Sequence, residues 1–598
     1  MNKMKSMTMA AIVALSVAAC HNNGKGAATN TEATELDTLV AAYYKDWAAL
    51  FPMEALSNGA DARTDTLPNN LSADYAKTVT AVYTQYTERL KAIKRDQLDE
   101  AHKITYDVLH WECDMALETQ KYPLELLPIN QFWALSSTIA QMGSGGYVQP
   151  FKTTQDYENW LQRLSDFKVW SDTAVVKMRE GIKKGWVLPK PLALKALPQL
   201  EALATGTAKD HLFYTPIKNL PDSIPAATKA LLAQKYVATI DTLVIPIYKK
   251  LADFFRNEYI AAARTTSGIG DLPGGADLYR HLVKTYTTTN ITPEEVFALG
   301  EKEVARLQGE MEKVKTELGF GGSLKDFFDT LRNSKKLMPF TRPEQVIAHF
   351  NNIHQRMKPR LKKLFELAPK TPFEVRRTET FREASASAEY NPGALKDGRA
   401  AIFYVPIPDA KKYNVLQDED LFLHEAIPGH HYQIALTQEN ASLPGFRRTL
   451  WYSAYGEGWA LYAESLGKEL GLYTDPYQYF GMLSAEMHRA IRLVVDAGIH
   501  AKGWTREQAI QYSLEHEAEP EASVVAEIER YMAIPGQALS YKMGQLKIRE
   551  MRALAEKELG DKFNIAAFHA AVLDEGCLPL KVFEDKMTRW LATEKMSH

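Results

Sequence analysis

The sequence predicts a mainly α-helical protein with one small β element, and three observations carry that expectation. Apolar residues recur at three- and four-residue spacing through long blocks, notably 71–117 and 227–263, as amphipathic helices require. Proline and glycine punctuate between such blocks, at 143–147, 188–191, 268–275 and 319–322. Thr292 stands before Pro293 with Glu294 and Glu295 in the first turn, a strong helix start. Only residues 384–408 break the pattern: a turn-rich stretch is followed by a short β-like run, Ala401 to Val405.

Taken in order, the chain opens on a segment that does not belong to the fold. Lys3 and Lys5 precede an apolar stretch from Met7 to Ala19. That is too short for a bilayer, which needs about 20 apolar residues, so residues 1–19 read as a signal peptide. Val17-Ala18-Ala19-Cys20 resembles the lipobox of bacterial lipoproteins, in which the cysteine becomes the lipidated first residue. The resemblance implies an N-terminal lipid anchor at Cys20 on a membrane facing the periplasm. His21 in place of an aspartate implies the outer membrane. Residues 20–33 have the small, polar composition of a flexible tether. The remaining chain reads as an N-terminal helical half, 34–270, and a C-terminal half, 271–598, with the glycine-rich stretch at 265–275 as a soft boundary. One continuous body over 34–598 is the alternative.

Composition narrows the chemistry. Lys and Arg total 71 against 74 Asp and Glu, a balance without the basic stripe that nucleic-acid binding needs. Of three cysteines, only Cys113 and Cys577 follow Cys20. Two thiols are too few for a thiolate zinc site, so any metal here falls to His and carboxylates. Whether the two pair is open at this stage, as is oligomeric state.

The most informative stretch is LFLHEAIPGHHYQ, 421–433. In a zinc-binding helix, two histidines one turn apart chelate the ion and the glutamate beside the first acts as general base. Here the position four after His424 is Pro428, and the next histidines are His430 and His431. On a regular helix, seven residues separate Cα atoms by about 10 Å, too far for two imidazoles to share an ion. The helix must therefore break, and Pro428 with Gly429 supplies the means. Reach favours His430 over His431, without excluding the latter. Glu457, in YGEGWALYAE (455–464), stands on what reads as the next helix, where gluzincins carry their third ligand; simple helix capping is the alternative. Glu464, two turns on and on the same face, could support a histidine ligand from behind.

The motifs HEAIPGHH, YGEGWALYAE, RLVVDAGIHAKGW (492–504) and ERYMAIPGQALSYKMG (529–544) together resemble the large bacterial family known as domain of unknown function 885. That family is itself similar to gluzincin metallopeptidases. The resemblance runs from about residue 35 to 590. It implies a large helical body with a deep cleft, one Zn²⁺ and peptidase activity, the hydrolysis of peptide bonds. The residues themselves offer His424, Glu457 and His430 as ligands, with His431 as the alternative to His430, and Glu425 as base. Fold and metal transfer through such a likeness better than substrate does.

Peptide hydrolysis also needs a donor for the developing oxyanion. His488, Arg492, Asp496 and His500 recur every four residues, a stripe that lines a cleft or faces solvent. Glu529-Arg530-Tyr531 and Tyr541 follow. Tyr531 and then His500 are the expected catalytic donors, with Arg530, Tyr541, Arg492 and Tyr404 as substrate-binding candidates. Tyr404 enters because a strand upstream of a metal helix can bind peptide by strand addition; a plain structural hairpin is the alternative. Two other readings stay open: a zinc hydrolase of another amide, such as a cell-wall fragment, and a non-catalytic ligand-binding lipoprotein.

Overall fold

The computed structural model describes residues 31–597 apart from 61, 381–382, 384–385, 394 and 396–397. The expected signal peptide, the lipidated Cys20 and most of the tether lie outside the described residues.

Local sequence signals become helices where the caps allow. The Thr292 start forms a reciprocal cap: Glu295 N–H donates to Thr292 Oγ1 at 3.2 Å and Thr292 N–H donates to the Glu295 carboxylate at 2.9 Å. Block 71–117 is two helices, Ala73–Ala92 and Glu100–Thr119. The second starts at Asp99, whose side chain accepts from His102 N–H at 2.9 Å. Block 227–263 runs through one helical rod, Ala226–Ala262, with π turns at Ile240–Val244 and Phe255–Tyr259. The π turns rotate the apolar stripe so that Tyr236, Val244, Tyr248, Leu251 and Tyr259 all enter one core.

The apolar core does not divide at residue 270. Residues from Leu36 to Cys113 share one cluster with residues from Val304 to Leu591. Residues from Leu67 to Tyr259 build a second cluster, and Leu126, Trp186, Leu493 and Leu539 help form a third. The glycine-rich 268–275 stretch is docked on the body, where Ile269 N–H donates to His500 Nδ1 at 2.9 Å. Cys113 and Cys577 are both buried free thiols, so they do not pair.

Among the described residues there is one sheet, of three strands: β1 (Phe373–Arg377), β2 (Glu389–Asn391) and β3 (Ala401–Val405). The order is β1-β3-β2, with β3 parallel to β1 and antiparallel to β2. The β element is therefore where the sequence places it. Strand addition at Tyr404, however, is ruled out by topology: β3 is central and both its edges are already paired.

Five helices hold the site: α1 (Asp418–Glu425), α2 (His430–Glu439), α3 (Ser453–Glu464), α4 (Pro476–Ala501) and α5 (Ser540–Leu559). Helices α3 and α5 cross backbone to backbone. A Cβ on Gly458 would stand 2.4 Å from Gly544 Cα, and one on Gly544 would stand 1.7 Å from Ala454 O. The buried Lys542 ties α5 to α4 and to helix Pro293–Glu317, with Glu303 at 3.0 Å, Gln545 of its own helix at 2.8 Å and Glu486 as a further partner. Gly544→Ala is expected to destabilise the protein by about 1–3 kcal/mol, because neither backbone can yield without moving its helix. Gly309→Ala, in an open helical position, should be neutral or gain up to about 1 kcal/mol. Equal urea midpoints for Gly544→Ala and wild type would show that the crossing tolerates a methyl group.

Candidate metal centre

The HEAIPGHH segment is two helices joined by a sharp break. Helix α1 ends at Glu425 and α2 begins at His430. Ala426 (φ −107°, ψ −106°) and Gly429 (φ −71°, ψ −124°) carry the turn, and the Ile427–Pro428 peptide is cis. Gly429 is required by space: a Cβ there would lie 1.9 Å from His424 O and 2.3 Å from Leu423 O. The break is clamped by Trp459 of α3, whose indole N–H donates to Pro428 O at 2.9 Å. The bend that the spacing demands is thus made across Ala426 to Gly429, one turn that begins two residues before the expected Pro428.

It brings three side chains to one point. The Nε2 atoms of His424 and His430 each lie 3.5 Å from the same oxygen of Glu457, and all three donor atoms fall within 4.8 Å of one another. A tetrahedral zinc with bonds of about 2.0–2.1 Å spaces its donors about 3.4 Å apart, so the cluster fits that ion. Behind it, Glu464 meets His424 Nδ1 at 2.6 Å. This bond turns Nε2 toward Glu457 and fixes the tautomer, as carboxylates do for metal-binding histidines. His431 faces elsewhere: its Nδ1 is 3.2 Å from Tyr390 Oη and its ring lies against Phe373.

Electrostatics separates the histidines in the same way. Burial disfavours charge on His424, but hydrogen bonds to Glu457 and Glu464 more than offset it, and its pKa is pushed up to about 10. Glu457 is held far below the usual carboxylate range in spite of burial, by its bonds to both histidines. His431, with burial dominant, is pushed down to about 4. A site this rich in buried carboxylate is built for positive charge, and a cation on the triad would take over that role.

A cavity of about 340 Å³ opens on the triad, and Glu425, Arg489, Arg492, Tyr541 and Trp451 also line it. Ala388, Glu389 and Tyr390 of the β2 edge form one side. The strand that faces the cavity is therefore β2, not β3, and Tyr404 does not line it. Of the other expected groups, Arg492 and Tyr541 arrive together, with the guanidinium 4.6 Å from the Tyr541 ring centre.

Tyr531 and His500 do not reach the cavity. Tyr531 is 2 % exposed, and its hydroxyl accepts from Arg492 Nε at 2.9 Å and donates to Glu527 at 2.8 Å. It braces Arg492 from behind. His500 accepts from Ile269 N–H at 2.9 Å and sits 3.1 Å from Tyr531 O through its other nitrogen; burial pushes its pKa down to about 3. Both ring nitrogens are thereby committed to backbone. Arg530 pairs with Glu527 at 2.9 Å and with Gln537 at 2.8 Å. Asp496, also in the stripe, accepts from Tyr279 Oη at 2.6 Å and from Gly536 N–H. The four-residue stripe on α4 is thus a row of buried connectors, and only Arg492 opens to the cavity. Arg489, Trp451 and Tyr390 were missed in the sequence: Arg489 stands off the stripe, and the other two lie outside the four motifs.

The fold and site define a large helical protein with a buried His-His-Glu centre in a cleft. The chain matches the bacterial protein family of unknown function DUF885 over residues 52–587, and it belongs to that family. It is similar to the crystal structure of a candidate lipoprotein from Colwellia psychrerythraea, at 28% identity and a TM-score of 0.85, covering 94% of this chain and 99% of that one. It also shares its fold with a candidate lipoprotein of unknown function from Shewanella oneidensis, at 19% identity and a TM-score of 0.73, covering 92% and 99%. The chain matches no curated protein.

Proposed function

We propose that the protein is a zinc-dependent peptidase of the gluzincin type, carried as a lipid-anchored protein on the periplasmic side of the outer membrane. One observation carries the catalytic reading: the donor atoms of His424, His430 and Glu457 converge within 4.8 Å of one another in a cavity that Glu425 also lines. The lipobox-like Val17-Ala18-Ala19-Cys20 and the two lipoprotein-like structural neighbours support the anchor.

Bound zinc would supply a Lewis acid that lowers the pKa of water towards about 7 and polarises a carbonyl. Glu425, beside the triad but outside it, accepts the proton of the attacking water and returns it to the leaving amine. Tyr541, at the cavity wall with Arg492 behind its ring, donates to the developing oxyanion, the part assigned from sequence to Tyr531. Such a donor contributes about 10²–10³ in rate. Glu464 holds His424 in place throughout.

The test is metal content with activity. Protein purified without chelator should hold about one zinc per chain and cleave oligopeptides, and treatment with a chelator should abolish cleavage until zinc is restored. Protein that takes up no stoichiometric zinc, or holds it and cleaves no peptide, overturns the reading.

A further inference from the structure

Two cationic side chains beside the triad carry buried N–H groups with no acceptor among the described residues. Arg492 is 8 % exposed. Its Nε donates to Tyr531 Oη at 2.9 Å, and its Nη2 reaches Glu527 at 3.0 Å and His488 Nε2 at 3.1 Å. Its Nη1 is buried and meets nothing. One turn earlier on α4, Arg489 donates from Nη1 to Ala485 O at 3.1 Å, and its Nε is buried and equally without a partner. The nearest carboxylate to Arg489, Glu464, lies 4.0 Å away and is engaged by His424 at 2.6 Å. Both arginines line the triad's cavity.

A buried donor left without an acceptor costs free energy, and a guanidinium presents a planar fork that matches a carboxylate. A divalent ion on the triad would engage Glu457, and the carboxylate within 4.0 Å of Arg489, Glu464, is already shared with His424, so the Arg489 Nε and Arg492 Nη1 donors would still lack an acceptor among the described residues. Resting on the peptidase reading above, we infer that Arg489 and Arg492 receive the free α-carboxylate of a peptide substrate. The protein then cuts close to the C-terminus.

The cavities agree with that polarity. The arginine side is small, about 340 Å³ including the triad, and has space only for a short segment beyond the cut bond. A larger cavity of about 1060 Å³ adjoins it, with Ile434 and Trp451 in both walls. That larger space carries polar groups of several kinds, Gln433, Thr437, Arg399, Arg448 and Glu439, and is long enough for the rest of a peptide, so size alone places the short segment on the arginine side.

Calorimetric titration of zinc-loaded Glu425→Gln protein with N-acetyl-tetraalanine and with its C-terminal amide tests the inference. The acid is expected to bind at least about tenfold tighter than the amide, the equivalent of one charge-assisted contact. The gap should close when Arg489→Gln is added, provided the double variant melts where the single one does. Equal affinity for acid and amide, or binding of neither, overturns the inference. So does equally tight binding of an amidated peptide with an internal aspartate, since the site would then read a side chain. Selective binding of the acid by a wild type that hydrolyses nothing would remove the peptidase reading and leave the carboxylate site. Wild-type cleavage of amides as fast as acids would do the reverse.

Discussion

Glu425→Gln is expected to lower kcat on peptide substrates by about 10³-fold, within the 10²–10⁴ that a positioned base contributes. Zinc content should stay at the wild-type level. The two halves of that result follow from where Glu425 stands. It is the last residue of α1 and lines the cavity, yet the converging cluster is His424, His430 and Glu457 without it. Glutamine keeps the shape and loses the basic oxygen, so affinity for substrate should change little while turnover falls. Steady-state kinetics with metal analysis on the same preparation decides the matter. Retained turnover would mean that another group takes the proton. Lost zinc would mean that Glu425 is a ligand, and the tetrahedral count would have to be redone.

Replacing His430 with alanine is expected to weaken zinc binding by more than about 10²-fold, whereas His431→Ala should keep near wild-type affinity. Loss of a group that only supports a ligand already costs 10–100-fold, so loss of a ligand must cost more. The contrast is sharp because the two histidines are adjacent. His430 Nε2 lies 3.5 Å from the Glu457 oxygen that His424 shares. His431 is turned to Tyr390 and Phe373. Competition with a zinc-sensitive dye would measure both constants. The opposite ranking would sink the assignment of α2.

Much of this centre is legible along the chain because its elements are local. His424 and Glu425 are neighbours, Pro428 and Gly429 announce the break, and Glu464 follows Glu457 by two helical turns on one face. The periodic helix signal and the lone β run are local too, and the mainly α fold follows from them. Block 71–117 shows the limit: continuous apolar spacing hides a cap at Asp99 that starts a second helix.

What lies across helices was not legible. The α4 stripe has the spacing of a cleft lining, yet three of its four polar residues are spent on buried contacts with Tyr279, Ile269, Tyr531 and Glu517. Arg489 stands outside the stripe and still reaches the cavity. The sequence favours Tyr531 as donor over Tyr541, and the Gly458–Gly544 crossing reverses that order by carrying α5 against the Glu457 helix.

The sequence by itself determined the helical class, the location of the His-His-Glu cluster and the need for a bent helix. Those follow from periodicity, residue chemistry and the fixed rise of an α-helix. Only the tertiary structure decided which histidine faces Glu457, which tyrosine lines the cavity, that β2 rather than β3 offers an edge, and that two arginines close the site. Those depend on how far apart separate elements come to rest, and that distance is set by side-chain volume at their crossings.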